Sequence, residues 1–355
     1  MTLSIITINY NNAEGLRKTL ASVASQTYAE IEHIIIDGGS SDNSVEVIRK
    51  YESSLASRLC GVPENARGDF GCSSPLASRL KWVSEKDAGI YNAMNKGLEI
   101  ALGRRIVNED HTSLSIANCQ LPIAKTNYIQ ILNSGDILAA PDVTERMMAA
   151  LEAHKVKGES LKAKGMENSE ADIQAFTPYT LHPTPTDAST PYQNRPTILY
   201  GNMIKVNAAG EVVGRSGYTE YSLRQFYSST LNHDCAYIRK DLFEEYGLYD
   251  ENLKIVSDWK WYLQAIGLGR VKPEYVDIDV TIFDDGGISE TNLALRNEER
   301  RQVLEELLPP AVLWDYDTHA FEMEQMNRLR RWKLYPIVYF MERVLFKLEK
   351  WGILG

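Results

Sequence analysis

The sequence predicts an α/β protein with a mostly parallel sheet, and the order of strand-like and helix-like segments supports that prediction. Ser4–Tyr10 and Ile31–Ile36 are β-rich runs, and each is followed by a segment of helical periodicity. Strands that alternate with helices form parallel sheets with right-handed crossovers. Because ligands of such sheets bind at the carboxyl ends of the strands, we expect a site along that edge.

The first two strand–helix units contain turns typical of helix starts. The run "NNAEGLRKTLASVASQT" places an Asn before a helix whose apolar residues Leu16, Leu20 and Val23 recur at helical spacing. The second strand runs into "DGGSSDNS", where Asp37 and Asp42 flank a Gly/Ser turn. A turn with Asp42 as the helix cap is one interpretation, and a ligand site is the other.

A third strand ends on an acid. In "YIQILNSGDIL" the residues Tyr128–Leu132 are mostly large and apolar, as in a strand buried on both faces. The chain then turns through Ser134 and Gly135 to Asp136. A buried carboxylate is costly unless it is paired or bound to a metal, so Asp136 needs a partner.

The rest of the chain alternates ordered and irregular segments. After "KWVSEKDAGIYNAMNKGLEIALG", read as strand, turn and helix, later strands are expected in "ILYGNMIKV" and "YVDIDVTIF" and a helix in "SDWKWYLQAIG". Helical sequence dominates from Asn292. Three segments of low periodicity are expected to be loops or surface excursions: Ser53–Arg79, Arg104–Asn127 and Glu152–Pro196.

Composition excludes several classes of protein. The formal net charge of -10 argues against a nucleic-acid partner, and a phosphorylated ligand would need a cation or backbone amides. The four cysteines have no CxxC spacing, which argues against a zinc module or disulfide scaffold and indicates a reducing compartment. The N-terminus has no basic leader, and no apolar run reaches the roughly 18 residues that span a bilayer. We therefore expect a cytoplasmic catalytic body.

The acid-bearing turns, taken together, favour a ligand site over isolated helix caps. Asp37 and Asp136 follow strands of one predicted parallel sheet, so they are expected to converge. Asp87 opens the run "DAGIYNAMNKG", in which Asn92, Asn95 and Lys96 crowd a helix start. These groups could accept hydrogen bonds from a base and ribose, contact phosphate and ligate Mg²⁺ or Mn²⁺. Neither a P-loop nor a GxGxxG motif is present, which leaves a metal-assisted nucleoside-diphosphate site.

Two residues in the second half of the chain are candidates for catalysis or ligand binding. Asp258 lies at a predicted helix start, where it could cap the helix or deprotonate an acceptor hydroxyl. His233 precedes a predicted strand, where it could be a structural residue or a contact for metal or phosphate.

Five motifs in order carry a resemblance to a known family. They are "SIITINYNNAEGLRKTLASVASQTYAEIEHIIIDGGSSDNS", "WVSEKDAGIYNAMNKGLEIALG", "YIQILNSGDIL", "SDWKWYL" and "FDDGGIS". The sequence resembles glycosyltransferase family 2, and more narrowly the branch of colanic-acid and capsular polysaccharide glycosyltransferases. The motifs cover most of Met1–Ser289.

The resemblance implies a GT-A fold. It implies a catalytic domain over residues 1–290, with a nucleotide-sugar half (1–138) and an acceptor half (139–290), and a C-terminal helical extension over 291–355. The family's donor-binding positions match the following residues of this chain: Thr7, Asn9, Tyr10, Asp37, Asp87, Asn95, Lys96 and Ser134.

The resemblance also implies a divalent cation, Mn²⁺ or Mg²⁺. The family's DXD metal motif aligns with "SGD", so Asp136 would bind the metal and Ser134 replaces the first acid. The donor diphosphate, water or His233 would complete the shell. Asp258 matches the family's catalytic base, and the family inverts the anomeric centre in one displacement.

The function implied is an inverting glycosyltransferase that moves a sugar from a nucleotide-sugar, with a UDP-sugar favoured, to a hydroxyl of a lipid-linked or polysaccharide acceptor. Two alternatives remain. A sugar-phosphate nucleotidyltransferase would need a Gly-rich, basic loop after the first strand, and "NYNNAEG" is not such a loop. A non-catalytic glycan- or nucleotide-binding protein would not need acids at 37, 87, 136 and 258.

The C-terminal stretch Arg328–Leu354 mixes basic and aromatic residues with an apolar stripe. It could be a helix packed on the protein body. It could also be an interfacial helix that gives peripheral contact with the anionic inner leaflet of the membrane.

Overall fold

The structure is a computed structural model that describes residues 1–59, 79–108, 110–115, 126–163, 197–207, 209–284, 292–330, 332 and 335–350. Contacts between backbone positions divide the chain into two compact units, Met1–Arg296 and Asn297–Gly355.

The first unit is built on a mixed sheet that contains nine strands within the described residues. The strand order is β3-β2-β1-β6-β10-β8-β11-β7, with β9 paired to β8, and β4 and β5 form a separate hairpin. The strands are β1 (Thr2–Asn9), β2 (Ile31–Asp37), β3 (Leu80–Ser84), β4 (Arg105–Val107), β5 (Ser113–Ser115), β6 (Thr126–Asn133), β7 (Ile137–Leu138), β8 (Ile198–Val206), β9 (Val212–Arg215), β10 (Ala236–Arg239) and β11 (Glu274–Asp284).

The first unit also contains helices, and helices make up most of the second unit. They are α1 (Ala13–Ala24), α2 (Ser44–Leu59), α3 (Ile90–Ala101), α4 (Val143–Ala163), α5 (Leu223–Ser228), α6 (Asp241–Glu245), α7 (Ser257–Tyr262, continued by a π-helical turn Leu263–Leu268), α8 (Leu293–Leu307), α9 (Pro310–Arg330) and α10 (Tyr335–Lys350). Across the described parts of the chain, no helix has both the length and the apolar character needed to cross a membrane.

The predicted parallel strands are confirmed. Strands β3, β2, β1 and β6 run parallel, and their register pairs Asn9 with Asp37, Asp37 with Ser84 and Ile8 with Asn133. The carboxyl ends of these four strands therefore lie side by side at one edge, as the acid-bearing turns indicated.

The second half of the sheet is less regular than the sequence indicated. Strand β10 is antiparallel to both neighbours, β6 and β8, whereas β11 runs parallel to β8 and β7 antiparallel to β11. Parallel pairing is thus concentrated in the first half.

The core follows from the alternation of side chains along the strands. Leu3 and Ile5 face one side of the sheet, in the same buried cluster as Leu16 of α1 and Ile48 of α2. Helix α3 packs on β1 and β2 from the other side, where Gly97 lies close to Ile6. Both faces of the central strands are covered, which explains why their sequences are almost continuously apolar.

Three segment boundaries differ from the sequence-based expectation. Helix α2 continues to Leu59, inside the predicted loop Ser53–Arg79, because Tyr51 and Leu55 extend its buried stripe. The segment Arg104–Asn127 contains the β4–β5 hairpin, and α4 runs to Ala163 within Glu152–Pro196. The remaining parts of these three segments (60–78, 109, 116–125 and 164–196) and the predicted boundary at 290 lie outside the described residues.

We expect Gly201→Ala to destabilise the fold. A Cβ at Gly201 in β8 would overlap the backbone carbonyl oxygen of Ile278 in β11, and a strand backbone cannot move aside cheaply. The expected loss is about 1–3 kcal/mol in the free energy of unfolding, measured by urea denaturation. Gly214→Ala in β9 is the matched control, because its nearest neighbour would be the Lys205 Cβ at 3.8 Å. Equal effects of the two substitutions would contradict this account.

Candidate active site

A cavity of about 970 Å³ opens at the carboxyl edge of the parallel strands. Its size lies at the upper end of the range for small-molecule sites, roughly 300–1,000 Å³. The ends of β1, β2, β3 and β6 form one part of its wall, and the rest includes the start of α1, α3, the turn before β10, the start of α7 and Phe283 of β11. The cavity thus lies where the sequence predicted a ligand.

Asp37 organises the end of β2 through hydrogen bonds. Its carboxylate accepts bonds from Asn9 Nδ2 at 2.8 Å, from the Ser40 backbone N at 3.0 Å and from Ser84 Oγ at 2.8 Å. These bonds tie the ends of β1, β2 and β3 together. Asn9 lines the cavity, and its Oδ1 is buried without a hydrogen-bond partner in the described part of the chain.

The turn after β6 is fixed in an unusual backbone conformation. Gly135 has φ = 118°, a value that favours glycine. Asn12, the N-cap of α1, donates from Nδ2 to the Ser134 carbonyl at 2.8 Å, and the Gly135 N donates to Thr19 Oγ1 at 2.9 Å. Helix α1 therefore holds the turn that presents Asp136.

Asp136 is a buried carboxylate with an altered pKa. Burial, together with the negative charge of Asp234, raises the pKa of Asp136, while His233 and hydrogen bonds from Asn133 only partly offset this effect. Asp234 is itself held by Thr281, whose Oγ1 donates to its Oδ2 at 2.6 Å. A buried acid that resists ionisation gains from a bound cation.

The side chains around Asp136 fit a metal site that a substrate or water completes, rather than a site formed by protein ligands alone. Within the described ranges, no group of three or more His, Cys, Asp and Glu side chains could hold a metal on its own. Asp136 offers a hard oxygen ligand, and His233 lines the same cavity. The remaining ligands would have to come from a substrate or water.

A chain of hydrogen bonds links the donor-side turn to α7. His233 Nε2 lies 3.2 Å from Asn133 Nδ2, and His233 Nδ1 lies 3.1 Å from Asp258 Oδ2. On the other side of the carboxylate, Tyr91 Oη donates to Asp258 Oδ1 at 2.8 Å. Both oxygens of Asp258 are therefore oriented, and each keeps capacity for another hydrogen bond.

This network sets the charges of Asp258 and His233. Burial alone would raise the pKa of Asp258, but the hydrogen bond and charge of His233, with the Tyr91 bond, lower it. Burial alone would lower the pKa of His233, but Asp258, with the charges of Asp234 and Asp136, raises that pKa to about 9. Each partner therefore stabilises the charged form of the other.

The capping interpretation of Asp258 does not match the structure. Helix α7 begins at Ser257, its N-cap is Val256, and no side chain caps it. Asp258 instead lines the cavity.

Seven of the predicted site residues line the cavity: Asn9, Tyr10, Asp87, Ser134, Asp136, His233 and Asp258. Tyr10 is 64% exposed there. Asp87 accepts a hydrogen bond from the Gly89 N at 3.0 Å, and its pKa is raised chiefly by burial. In the motif "FDDGGIS", Phe283 lines the cavity and residues 285–289 lie outside the described residues.

The other four predicted residues lie behind the wall. Asp37 supports it as described above, and Thr7 Oγ1 contacts His33 Nε2 at 2.9 Å inside the sheet. Asn95 bonds to the backbone of Tyr249 at both its amide atoms, and Lys96 forms an ion pair with Glu85 at 2.9 Å. Their polar groups are satisfied by the protein, so they position the wall and do not line it.

Sequence reasoning gave no site role to several residues that the structure places there. Asn133 and Tyr91 contact the His233–Asp258 pair, and Asn12 holds the Ser134 turn. All three fall inside motifs quoted in the sequence analysis, so the sequence pointed to the right segments but not to these residues. Three basic residues outside the predicted site also line the cavity: Lys18, Lys86 and Lys254.

Comparison with known proteins supports an interpretation as a glycosyltransferase. Residues 4–111 match the family model described as glycosyl transferase family 2. An uncharacterised glycosyltransferase of Mycobacterium tuberculosis is 31% identical over 151 residues, which cover 42% of this chain and 40% of that relative. A PGL/p-HBAD biosynthesis glycosyltransferase of Mycobacterium bovis is 20% identical over 289 residues, 81% of this chain and 79% of the relative.

Among solved structures, S. aureus TarS 1-349 in complex with UDP-GlcNAc resembles this chain with a TM-score of 0.50 and 14% identity. The alignment covers 86% of this chain and 64% of that one. The likeness concerns the fold alone, and it confirms the predicted GT-A α/β architecture. Together, the match over residues 4–111 and the glycosyltransferase relatives support glycosyltransferase family 2 as the family of this chain's N-terminal region.

Proposed function

We propose that the protein is an inverting glycosyltransferase that moves a sugar from a nucleoside-diphosphate sugar to an acceptor hydroxyl. The observation that carries this proposal is the placement of Asp136 and Asp258 in one cavity, where hydrogen bonds link them through Asn133 and His233. The Asp136 carboxylate is buried and has a raised pKa, whereas the Asp258 carboxylate is oriented by two hydrogen bonds and has a lowered pKa. Such a pair suits a site that holds a diphosphate through a cation on one side and accepts a proton on the other.

The donor nucleoside is proposed to occupy the wall formed by the ends of β1 to β3. Asn9 supplies an acceptor oxygen without a partner in the described residues, Tyr10 supplies an exposed ring, and Asp87 supplies a carboxylate. Asp37, Asn95 and Lys96 would act by keeping these groups in place. We favour a UDP-sugar as donor, since the TarS structure of similar fold contains UDP-GlcNAc.

A divalent cation, Mn²⁺ or Mg²⁺, is proposed at Asp136. When bound, it would offset the negative charge that develops on the departing diphosphate. His233 lies beside this position, as a metal ligand in its neutral form or as a cation in contact with a phosphate. Ser134 replaces a second carboxylate, so the substrate would complete the coordination.

Asp258 is proposed as the general base. In one displacement, the acceptor oxygen forms a bond to the anomeric carbon while the bond from that carbon to the diphosphate breaks. The acceptor proton passes to the Asp258 carboxylate, and the nucleoside diphosphate leaves. Tyr91 and His233 keep this carboxylate ionised and oriented before the acceptor arrives.

We propose a glycan or lipid-linked acceptor, as in surface polysaccharide biosynthesis, and a cytoplasmic location with peripheral membrane contact. In this proposal residues 1–138 form the donor half and residues 139–290, which provide His233 and Asp258, form the acceptor half. Residues 291–355 form a C-terminal helical extension.

Asp136→Asn should separate metal binding from folding. Because Asp136 is a buried carboxylate with a raised pKa, the neutral amide should leave the metal-free protein equally stable or more stable. Mn²⁺-dependent affinity for a nucleoside diphosphate should fall by about tenfold or more in isothermal titration calorimetry. An unchanged Mn²⁺-dependent affinity would remove the metal assignment.

Asp258→Asn should lower turnover by roughly 10²–10⁴-fold, because the amide keeps the size of the side chain but cannot accept the proton. Donor affinity should barely change, since the base touches the acceptor. Steady-state kinetics with saturating donor tests this. Near-normal turnover would transfer the role of the base to His233.

Tyr91→Phe should reduce turnover by about 10–100-fold by removing the hydroxyl that orients Asp258 while keeping the ring. Tyr249→Phe is the matched control: its ring is 5.8 Å from that of Tyr91, and its buried hydroxyl has no hydrogen-bond partner in the described residues. The control should retain full turnover. If both variants lose the same activity, the effect belongs to packing and not to the Asp258 bond.

A further inference from the structure

Helix α10 has no buried residue and has two different sides. Its apolar side contains seven large side chains, of which six are exposed and Leu348 is partly exposed. At 3.6 residues per turn, one arc of about 160° contains only apolar side chains. These are Ile337, Val338, Phe340, Met341, Val344, Leu345 and Leu348.

The charged residues of α10 border this arc. Arg343, Lys347 and Lys350 lie along one side of it, and Glu342 and Glu349 lie along the other. The Arg343 guanidinium also lies over the Tyr339 ring, 5.8 Å from its centroid, outside the arc. Trp332, just before the helix, is 61% exposed. Basic and aromatic side chains beside an apolar face suit the boundary between lipid headgroups and acyl chains.

The charge of this segment is opposite to that of the chain. Residues 328–350 contain seven basic and two acidic residues, a net charge of +5, whereas the whole chain has a net charge of -10. An anionic surface would therefore attract this segment and repel the rest of the protein. Each basic residue near an anionic leaflet strengthens binding by about fivefold.

A second copy of the chain fits this surface less well. In a symmetric dimer through α10, the two positive segments would face each other and repel. The apolar arc of about 160° is also wider than the narrow a/d seam of a coiled coil. The helix has 16 residues, about 24 Å, which is too short for a hydrocarbon core of about 30 Å.

We propose that α10 lies in the plane of an anionic lipid surface, with the arc centred on Val344, Ile337 and Leu348 inserted and Arg343, Lys347 and Lys350 against the headgroups. No residue of α10 is among those that line the cavity of the proposed active site. The success or failure of the membrane proposal is therefore independent of the glycosyl transfer proposal.

The test is co-sedimentation of the full chain with sucrose-loaded vesicles of phosphatidylcholine alone or with about 30% phosphatidylglycerol. The protein should pellet with the anionic vesicles, and added salt should weaken binding. Replacing Arg343, Lys347 and Lys350 together by Gln should weaken binding by about 100-fold. Equal binding to both kinds of vesicle, or to neither, would overturn the proposal.

A matched pair of phenylalanines tests the orientation. Phe340 lies in the apolar arc and Phe346 on the opposite side, with similar exposures of 67% and 63%. Phe340→Ser should weaken vesicle binding by about tenfold or more, and Phe346→Ser should not. Equal losses would overturn the proposed orientation. Light scattering tests the alternative of a dimer. If the protein is a dimer that Phe340→Ser dissociates, and it does not bind vesicles, the face belongs to a second copy and the proposal is overturned.

Discussion

The contact between His233 and Asp258 is the interaction on which the candidate site depends. His233 precedes β10, Asp258 lies in α7, and the chain of hydrogen bonds continues to Asn133 at the end of β6 and to Tyr91 in α3. It therefore joins the parallel half of the sheet to elements of the second half. It links the turn that contains Asp136 to the carboxylate of Asp258.

This arrangement carries an electrostatic cost that packing alone does not explain. Asp136, Asp234 and Asp258 act together on one imidazole, and the pKa values of Asp136 and His233 are both raised. A core built only for stability would replace such buried charges with apolar side chains at little loss. Their presence in a cavity at a sheet edge is typical of sites where function is maintained at the expense of stability.

Much of this site could be predicted from the sequence, because the strands and turns that form it are encoded by short local segments. Strand–helix alternation placed Asn9, Asp37 and Asp136 at the ends of parallel strands, and parallel register brings those ends to one edge of the sheet. Contacts that connect distant parts of the chain were not predictable. Tyr91 and Asp258 are 167 residues apart, and no periodicity shows that their side chains meet. The same limit applies to β10, whose antiparallel pairing depends on how the chain returns to β6. It also applies to Asn95 and Lys96, whose types suited a ligand but whose partners are Tyr249 and Glu85.

The central claim is that this cavity binds a nucleoside diphosphate through a divalent cation. Thermal unfolding of the intact protein with UDP, GDP or dTDP, each with and without Mn²⁺, tests it most directly. A ligand that binds only the native state adds about 2.7 kcal/mol when its free concentration is about 100 times Kd. We expect the melting temperature to rise with UDP and Mn²⁺ together, and to rise far less with either alone. An unchanged melting temperature with every nucleotide, in the presence of Mn²⁺, would contradict the account.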